Sequence, residues 1–242
     1  MMEKRLNKYL SEIGFCSRRE ADRMINASRV TVNGVLPELG QKVGETDDIK
    51  VDGKDIKKND KLVYLALNKP KGITCTTDQT DPTNIVDYMK YPLRIFHIGR
   101  LDKDSEGLIF MTNDGDIVNK ILRSGNNHDK EYVVKVDHQI TTQFTKKMSQ
   151  GVSILGQMTK PCYVEKIDNY HFRIILTQGL NRQIRRMCTA LGYHVTRLMR
   201  VRIMNVTTEG IKIGKWRYLS NDEVKELKAL TEDSLKTEEA SN

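Results

Sequence analysis

Gly99-Arg100-Leu101-Asp102-Lys103-Asp104-Ser105-Glu106-Gly107-Leu108 is the stretch on which the reading of this chain turns. Phe96-His97-Ile98 leads into it and Leu108-Ile109-Phe110-Met111 leads out, so the pattern predicts a charged loop held between two strands. A carboxylate in such a loop has two readings. Asp102 and Asp104 either solvate a turn in which Ser105 bonds locally, or Asp102 is aimed at a ligand.

Both flanks extend the same architecture. Upstream, a strand over 62–67 meets Asn68-Lys69-Pro70-Lys71-Gly72, a turn that either presents Lys69 and Lys71 to phosphates or is simply solvated. A short helix is expected over 84–89. Downstream, Asn113-Asp114-Gly115 breaks the chain, and Ile117, Val118, Ile121 and Leu122 mark a helix. Strand propensity follows at 130–136, 163–167 and 171–177, where Phe172, Ile174 and Leu176 alternate with polar neighbours, and a helix over 141–150 intervenes. Strands with isolated helices between them describe a mixed α+β sheet domain. Nothing repeats, and no glycine loop of nucleotide-binding form is present.

The second informative stretch is Gln178-Gly179-Leu180-Asn181-Arg182-Gln183-Ile184-Arg185-Arg186-Met187. Ile184, Met187 and Leu191 lie at helical spacing and Gly192 ends the element, which puts Arg182, Arg185 and Arg186 on the other faces. Between residues 180 and 217, where Arg197, Arg200 and Arg202 also lie, nine Lys or Arg face a single acid, Glu209. So little compensation favours a phosphate-binding groove over an ordinary solvated face.

Residues 3–59 read as a separate small domain. Leu6, Leu10 and Ile13 recur at helical spacing before Gly14, and Ser17 with Glu20 forms a capping box that opens a second helix. Val30-Thr31-Val32 then reaches Asn33-Gly34, a strong hairpin signal, with Val35 starting the return. Arg5, Lys8, Arg18, Arg19, Arg23 and Arg29 make this segment basic. A polar linker ends it near residue 60, and the larger domain runs over 60–230. Ser220 to Glu223 is a further capping box, opening a helix expected to pack through Val224, Leu227 and Leu230. Residues 231–242 read as a mobile acidic tail.

The 242 residues carry 40 Lys and Arg against 32 Asp and Glu, a formal charge of +8, which favours anionic partners without naming them. No apolar run has the length of a signal peptide or a membrane span, so a cytoplasmic protein without a membrane partner is expected. Cys16, Cys75, Cys162 and Cys188 are scattered, as are the five histidines, and neither set has metal-ligand spacing. The expectation is free thiols, no metal, no cofactor and a monomer.

Against this background four patterns carry a likeness. Arg5-Leu6-Asn7-Lys8-Tyr9-Leu10, Gly14-Phe15-Cys16-Ser17-Arg18-Arg19-Glu20-Ala21 and Val30-Thr31-Val32-Asn33-Gly34 together resemble the S4 RNA-binding domain. Gly99 to Leu108 resembles the motif around the catalytic aspartate of pseudouridine synthases of the RsuA and RluA types. Lys130-Glu131-Tyr132 resembles their tyrosine strand, and Asn181 to Met187 their arginine motif. The family commonly has a basic residue where Leu180 stands. That departure, with Ile154-Leu155-Gly156 and Arg202-Ile203-Met204-Asn205-Val206, is similar to the branch that modifies large-subunit ribosomal RNA.

The resemblance implies a small S4 domain followed by a mixed, mainly antiparallel sheet with flanking helices, and isomerisation of uridine to pseudouridine in 23S rRNA. It leaves open a transfer RNA loop of similar shape as a second substrate. Such a reaction breaks the N1–C1′ bond, turns the base and rejoins it through C5, and a carboxylate can serve it without any cofactor. The likeness makes Asp102 that carboxylate, Arg185 its ion-pair partner and Tyr132 the residue that stacks on uracil, with C5 proton removal as an alternative role. Arg100 is expected to fill the place of the flipped base. Lys69, Lys71, Arg182, Arg186, Arg197, Arg200 and Arg202 are expected on the RNA backbone. The other reading is a non-catalytic ribosome-binding or assembly protein in which the same residues are scaffold.

Overall fold

A computed structural model describes residues 3–44, 46–56, 61–122 and 128–231. Residues 57–60, at the end of the expected linker, and 232–242 of the tail expected over 231–242 lie outside the described residues, while Thr231 is buried and donates to the Leu227 carbonyl. The chain divides into two compact units. The first comprises residues 1–63 with 91–96 and 112–115, and the second takes in the rest.

In the first unit, strand β1 (Lys4–Arg5) leads directly into α1 (Leu6–Glu12), and α2 (Arg18–Asn26) follows. Leu6, Leu10, Ile13, Ala21 and Ile25 are buried at the spacing that amphipathic helices require. Ser17 caps α2 by accepting a hydrogen bond from the Glu20 amide at 3.1 Å. The reciprocal arm of the expected capping box is missing, because the Glu20 carboxylate is paired with Arg23. Strand β2 (Val30–Val32) runs into a turn in which Asn33 and Gly34 both take positive φ, as an Asn-Gly hairpin turn demands.

The expected return strand does not form. Val32 and Val35 exchange hydrogen bonds across the turn and stop, since Leu36-Pro37 follows and proline has no N–H for a ladder. Strand β3 (Lys42–Val43) pairs with β1 instead, and β2 pairs with β4 (Ile49–Val51), which pairs with β5 (Lys54–Asp55).

The second unit is built on one nine-stranded sheet. Its elements are β6 (Tyr64–Lys69), α3 (Ile85–Met89), β7 (Phe96–Ile98), β8 (Glu106–Thr112), α4 (Gly115–Leu122), β9 (Lys130–Val136) and α5 (Thr142–Gln150). A small hairpin, β10 (Ser153–Ile154) and β11 (Gln157–Met158), then precedes β12 (Tyr163–Lys166), β13 (His171–Leu176), α6 (Gln183–Ala190), β14 (Val195–Ile203), β15 (Val206–Thr207), β16 (Trp216–Tyr218) and α7 (Asn221–Leu230). The sheet order is β12-β13-β9-β14-β8-β6-β16, with β15 on β14 and β7 on β8. The registered pairs are antiparallel except β14 with β8, which run parallel. This is the mixed, mainly antiparallel sheet with flanking helices.

One apolar cluster lies where α5 and α6 cover β9, β13 and β14, built from Val134, Val136, Phe144, Met148, Phe172, Ile174, Ile184, Met187 and Leu198. A second joins β8, α4 and α7 through Leu108, Phe110, Ile117, Ile121 and Leu227. α7 has both arms of its capping box, but Leu230, expected inside, is exposed at the last turn. Where β8 and β14 run parallel, Gly107 lies opposite Arg200 with φ at 110°, and a Cβ there would fall on the Arg200 backbone. Only glycine lets the two strands come this close. That contact fixes the charged loop ahead of β8 against β14.

Candidate active site

The loop between β7 and β8 is a tight turn in which the Ser105 amide donates to the Asp102 carbonyl at 3.0 Å. The Gly72 amide donates to the Lys103 carbonyl at 2.8 Å and the Leu101 amide to Cys75 Sγ at 3.4 Å, so the turn after β6 braces it from one side. Asp102 is about a third exposed, on the wall of a cleft of about 520 Å³. Arg100, Tyr132, Arg182, Arg185 and Arg200 line the same cleft. The volume and the mixed lining suit one nucleoside better than a large rigid ligand.

α6 supplies the arginines. Its apolar residues Ile184, Met187 and Cys188 are buried in the first core, which turns Arg182 and Arg185 toward the loop. Arg185 donates through Nη2 to the Asp104 carbonyl at 3.2 Å and to Ser105 Oγ at 3.1 Å, and through Nη1 to the Val195 carbonyl at 3.4 Å. Its Nε lies 3.7 Å from Asp102 Oδ2 and makes no hydrogen bond there. The expected pair of Asp102 and Arg185 is thus a looser charge contact, and the firmer work of Arg185 is to pin the backbone on which Asp102 stands.

Arg182, expected on an RNA backbone, is engaged within the protein. It donates to both oxygens of Asp104, at 3.2 Å each, and its Nη1 lies 3.3 Å from Asp102 Oδ2. Burial raises the Asp104 pKa, but the Arg182 hydrogen bond and the charges of Arg185 and Arg182 outweigh it, so the carboxyl is held below the usual range. Arg182 stands at the N-cap of α6 in the left-handed region, φ 49°, a strained setting for a side chain of this size. Its spacing of three residues from Arg185 is compatible with both lying on one side of the start of α6, but does not say which loop they meet.

Tyr132 lies half-buried on β9 and packs on the first core, with Arg200 directly opposite it on β14. Arg100 is exposed at the cleft and makes no hydrogen bond or ion pair among the described residues.

Among the residues expected on the RNA backbone, placement varies widely. Lys71, Arg18 and Arg19 are exposed and without a described partner. Arg186 is exposed and holds Asn181, while Lys8 meets Glu12 and Arg29 meets Asp52. Arg197 pairs with Glu106 and Arg202 with Glu131, at 2.7 and 2.9 Å. Arg5 is exposed on β1.

Two of these residues are not surface groups at all. Lys69 is fully buried, donating to the carbonyls of Pro70 and Ile73 at 2.9 Å each, so it closes its own turn. Arg200 is 4% exposed and donates to the Leu108 carbonyl at 2.7 Å. Lys69 ends a strand buried on both faces and Arg200 lies on the covered face of β14, which a count of charges does not register.

Comparison with known proteins gives a consistent answer. The S4 domain profile matches residues 4–49 and the RNA pseudouridylate synthase profile residues 63–190. The chain is 56% identical over 232 residues, 95% of its length and 80% of the relative's, to "Dual-specificity RNA pseudouridine synthase RluF" of Salmonella typhi. It is 35% identical over 237 residues, 94% of its length and 97% of the relative's, to "Ribosomal large subunit pseudouridine synthase B" of Bacillus subtilis. A crystal structure of a pseudouridylate synthase superposes with a TM-score of 0.69 at 29% identity, covering 92% of this chain and 99% of that one.

Proposed function

The chain belongs to the RNA pseudouridine synthases, with an S4 domain ahead of the synthase domain, and on that premise we propose that it isomerises a specific uridine in 23S rRNA. The observation that carries the reading is the placement of Asp102 in a nucleoside-sized cleft with Tyr132, Arg182 and Arg185 around it. Asp102 acts as the nucleophilic carboxylate toward the sugar. Arg182 and Arg185 hold the loop that presents it, Tyr132 stacks on the uracil, and Arg100, unpaired at the cleft, enters the stack that the flipped base leaves. Dual specificity in the name of one relative supports a transfer RNA loop as a second substrate.

Residues 3–59 serve as the RNA anchor and 60–230 as the catalytic domain, with Arg18, Arg19, Lys71 and Arg186 as phosphate contacts. The enzyme works as a cytoplasmic monomer. No helix among the described residues is long and apolar enough to cross a membrane.

The test is incubation of the protein with 23S rRNA, and separately with bulk tRNA, from cells lacking this activity, followed by pseudouridine-specific chemical mapping. One new stop in 23S rRNA is expected. Binding to rRNA with no new pseudouridine in either pool would make the chain a ribosome-binding protein instead.

A further inference from the structure

Tyr132 and Lys130 are two apart on β9, so both side chains project from the same face of the sheet. Arg200 is the registered partner of Tyr132 across the antiparallel pair and shares that face. On the opposite face the neighbouring pair, Arg202 and Glu131, form an ion pair at 2.9 Å. Lys130, Tyr132 and Arg200 all line the cleft that holds Asp102.

What distinguishes Arg200 and Lys130 is that neither has a carboxylate partner among the described residues. Arg200 uses Nε on the Leu108 carbonyl, and its buried Nη2 has no hydrogen-bond partner. Lys130 uses Nζ on the His128 carbonyl at 3.0 Å, leaving most of its donor capacity open. Burial first, and then the charge of Arg200, push the Lys130 pKa below its ordinary value, against a weaker opposing pull from Asp129. Holding a cation out of water without a counter-charge is costly, most of all at the buried Arg200. A strut to one carbonyl does not need a guanidinium, and two adjacent cations that make no ion pair are poor scaffold. They are suited to a site where negative charge arrives with the ligand or develops during the reaction.

We infer that Arg200 and Lys130 bind the oxygens of the flipped uracil and stabilise the negative charge it acquires as the glycosidic bond breaks. This rests on the uridine isomerisation proposed above. The N1–C1′ bond breaks with its electron pair leaving on the base, where it spreads over N1, O2 and O4, while the Asp102 carboxylate meets C1′. The base turns, C5 bonds to C1′ and Asp102 leaves as carboxylate. C5 loses its proton and N1 gains one, so no outside reagent is consumed. Asp102 serves the sugar side of this exchange, and the two cations serve the base side. A phosphate, the other anion that RNA offers, would be held at the mouth of the cleft and not against a guanidinium as buried as that of Arg200.

The experiment compares full-length wild type, Arg200→Met, Arg200→Lys and Lys130→Met on the mapped RNA, by single-turnover rate at saturating protein and by equilibrium Kd across a salt series. Arg200→Met is expected to slow the single turnover by about 100-fold, the scale for removing one charge-stabilising donor. Kd should stay within about threefold and the salt slope should not change, since every phosphate contact is kept. Arg200→Lys, which keeps the charge, should restore a large part of the rate. If folded Arg200→Met reacts at the wild-type rate once saturated, or if the loss is in Kd with a shallower salt slope, the inference is overturned and Arg200 touches a phosphate or nothing. Should Arg200→Met fail to fold, Lys130→Met carries the same two outcomes. Failure of wild type to make pseudouridine would instead overturn the functional reading.

Discussion

α2 in the first unit and α6 in the second are both short, arginine-rich helices, and in sequence each looks like an RNA-facing surface. In space they differ in where the charge is spent. Arg18 and Arg19 of α2 are exposed and have no described partner, whereas Arg182 and Arg185 beside α6 are engaged with Asp104, Ser105 and the Asp102 carboxylate. The following strand repeats the second pattern at Arg197 and Arg202, which pair with Glu106 and Glu131. Arginine density therefore marks two things. Uncompensated and exposed, it is a track for phosphates. Interleaved with a carboxylate loop, it is scaffolding that shapes a reactive group.

The largest expected effect belongs to the loop those arginines serve. Asp102→Asn keeps the size and removes the charge and nucleophilicity, so turnover should fall on the order of 10,000-fold or more, with RNA affinity and melting temperature near wild type. Pseudouridine formation in saturated RNA is the readout. Substantial residual turnover in protein free of wild type would remove Asp102 from its assigned role.

Arg185→Ala comes next and tests whether scaffolding is the right word for α6. Loss of the hydrogen bonds to Asp104 and Ser105 frees the loop, and misplacement of a reacting group by about 1 Å is worth on the order of 100-fold in rate. A double-mutant cycle with Ser105→Ala should show strong coupling, because one bond joins the pair. Additive effects would mean that Arg185 acts through its charge near Asp102 and Asp104 and not through the bond to Ser105.

The loop that carries Asp102 is legible in the sequence because its residues are contiguous and carry a distinctive alternation of charge, glycine and apolar strand. Its partners are less so. Arg182 and Asp104 are brought together by the packing of α6 on β9, β13 and β14, and no local pattern states that distance. Helices are easily located, since Leu6, Leu10 and Ile25 or Phe144 and Met148 declare their buried faces by spacing alone. The strand partner of β2 is not legible, because the Asn-Gly turn specifies only the turn. What pairs with β2 is decided by Ile49 and Val51, which bury opposite Val32 and Val30 from beyond a long excursion. The burial of Lys69 and Arg200 escapes the sequence for a related reason, as charge carries no sign of which way a strand residue points.

Replacing Arg18 and Arg19 together by Gln tests the other side of the comparison. Each phosphate contact removed should reduce the salt slope of binding by about 0.7 to 0.9. Affinity for long rRNA should fall roughly 3- to 10-fold near physiological salt, while the saturated rate is unchanged. Titrations at several salt concentrations measure both. An unchanged slope would mean that exposed, unpartnered arginines are not an RNA track here.

The smallest effect comes from two lysines that repeat the contrast within three residues. Lys71 is exposed, and Lys71→Met should lower the salt slope by the share of one phosphate and leave stability alone. Lys69 is buried beneath the turn that braces the Asp102 loop, and burial holds its pKa below the ordinary 10.5, against the opposing pull of Cys75, Asp104, Asp102 and Glu106. For a lysine lowered in this way, the unfolded chain keeps a proton that the folded chain has lost between the two values, so stability rises with pH across that window. Below the folded value both states are protonated and the cost of burying the charge is fully present. Lys69→Met removes this pH-dependent term and also leaves the carbonyls of Pro70 and Ile73 without their donor, a loss that does not vary with pH. Urea unfolding of both proteins from neutral pH toward 10.5 should therefore show wild type gaining stability relative to Lys69→Met as the pH climbs, with RNA salt slopes alike. A gap in stability that stays constant across the series would mean that the Lys69 ammonium is as well accommodated inside as in water, and the division between inner scaffold and outer track would lose its sharpest local example.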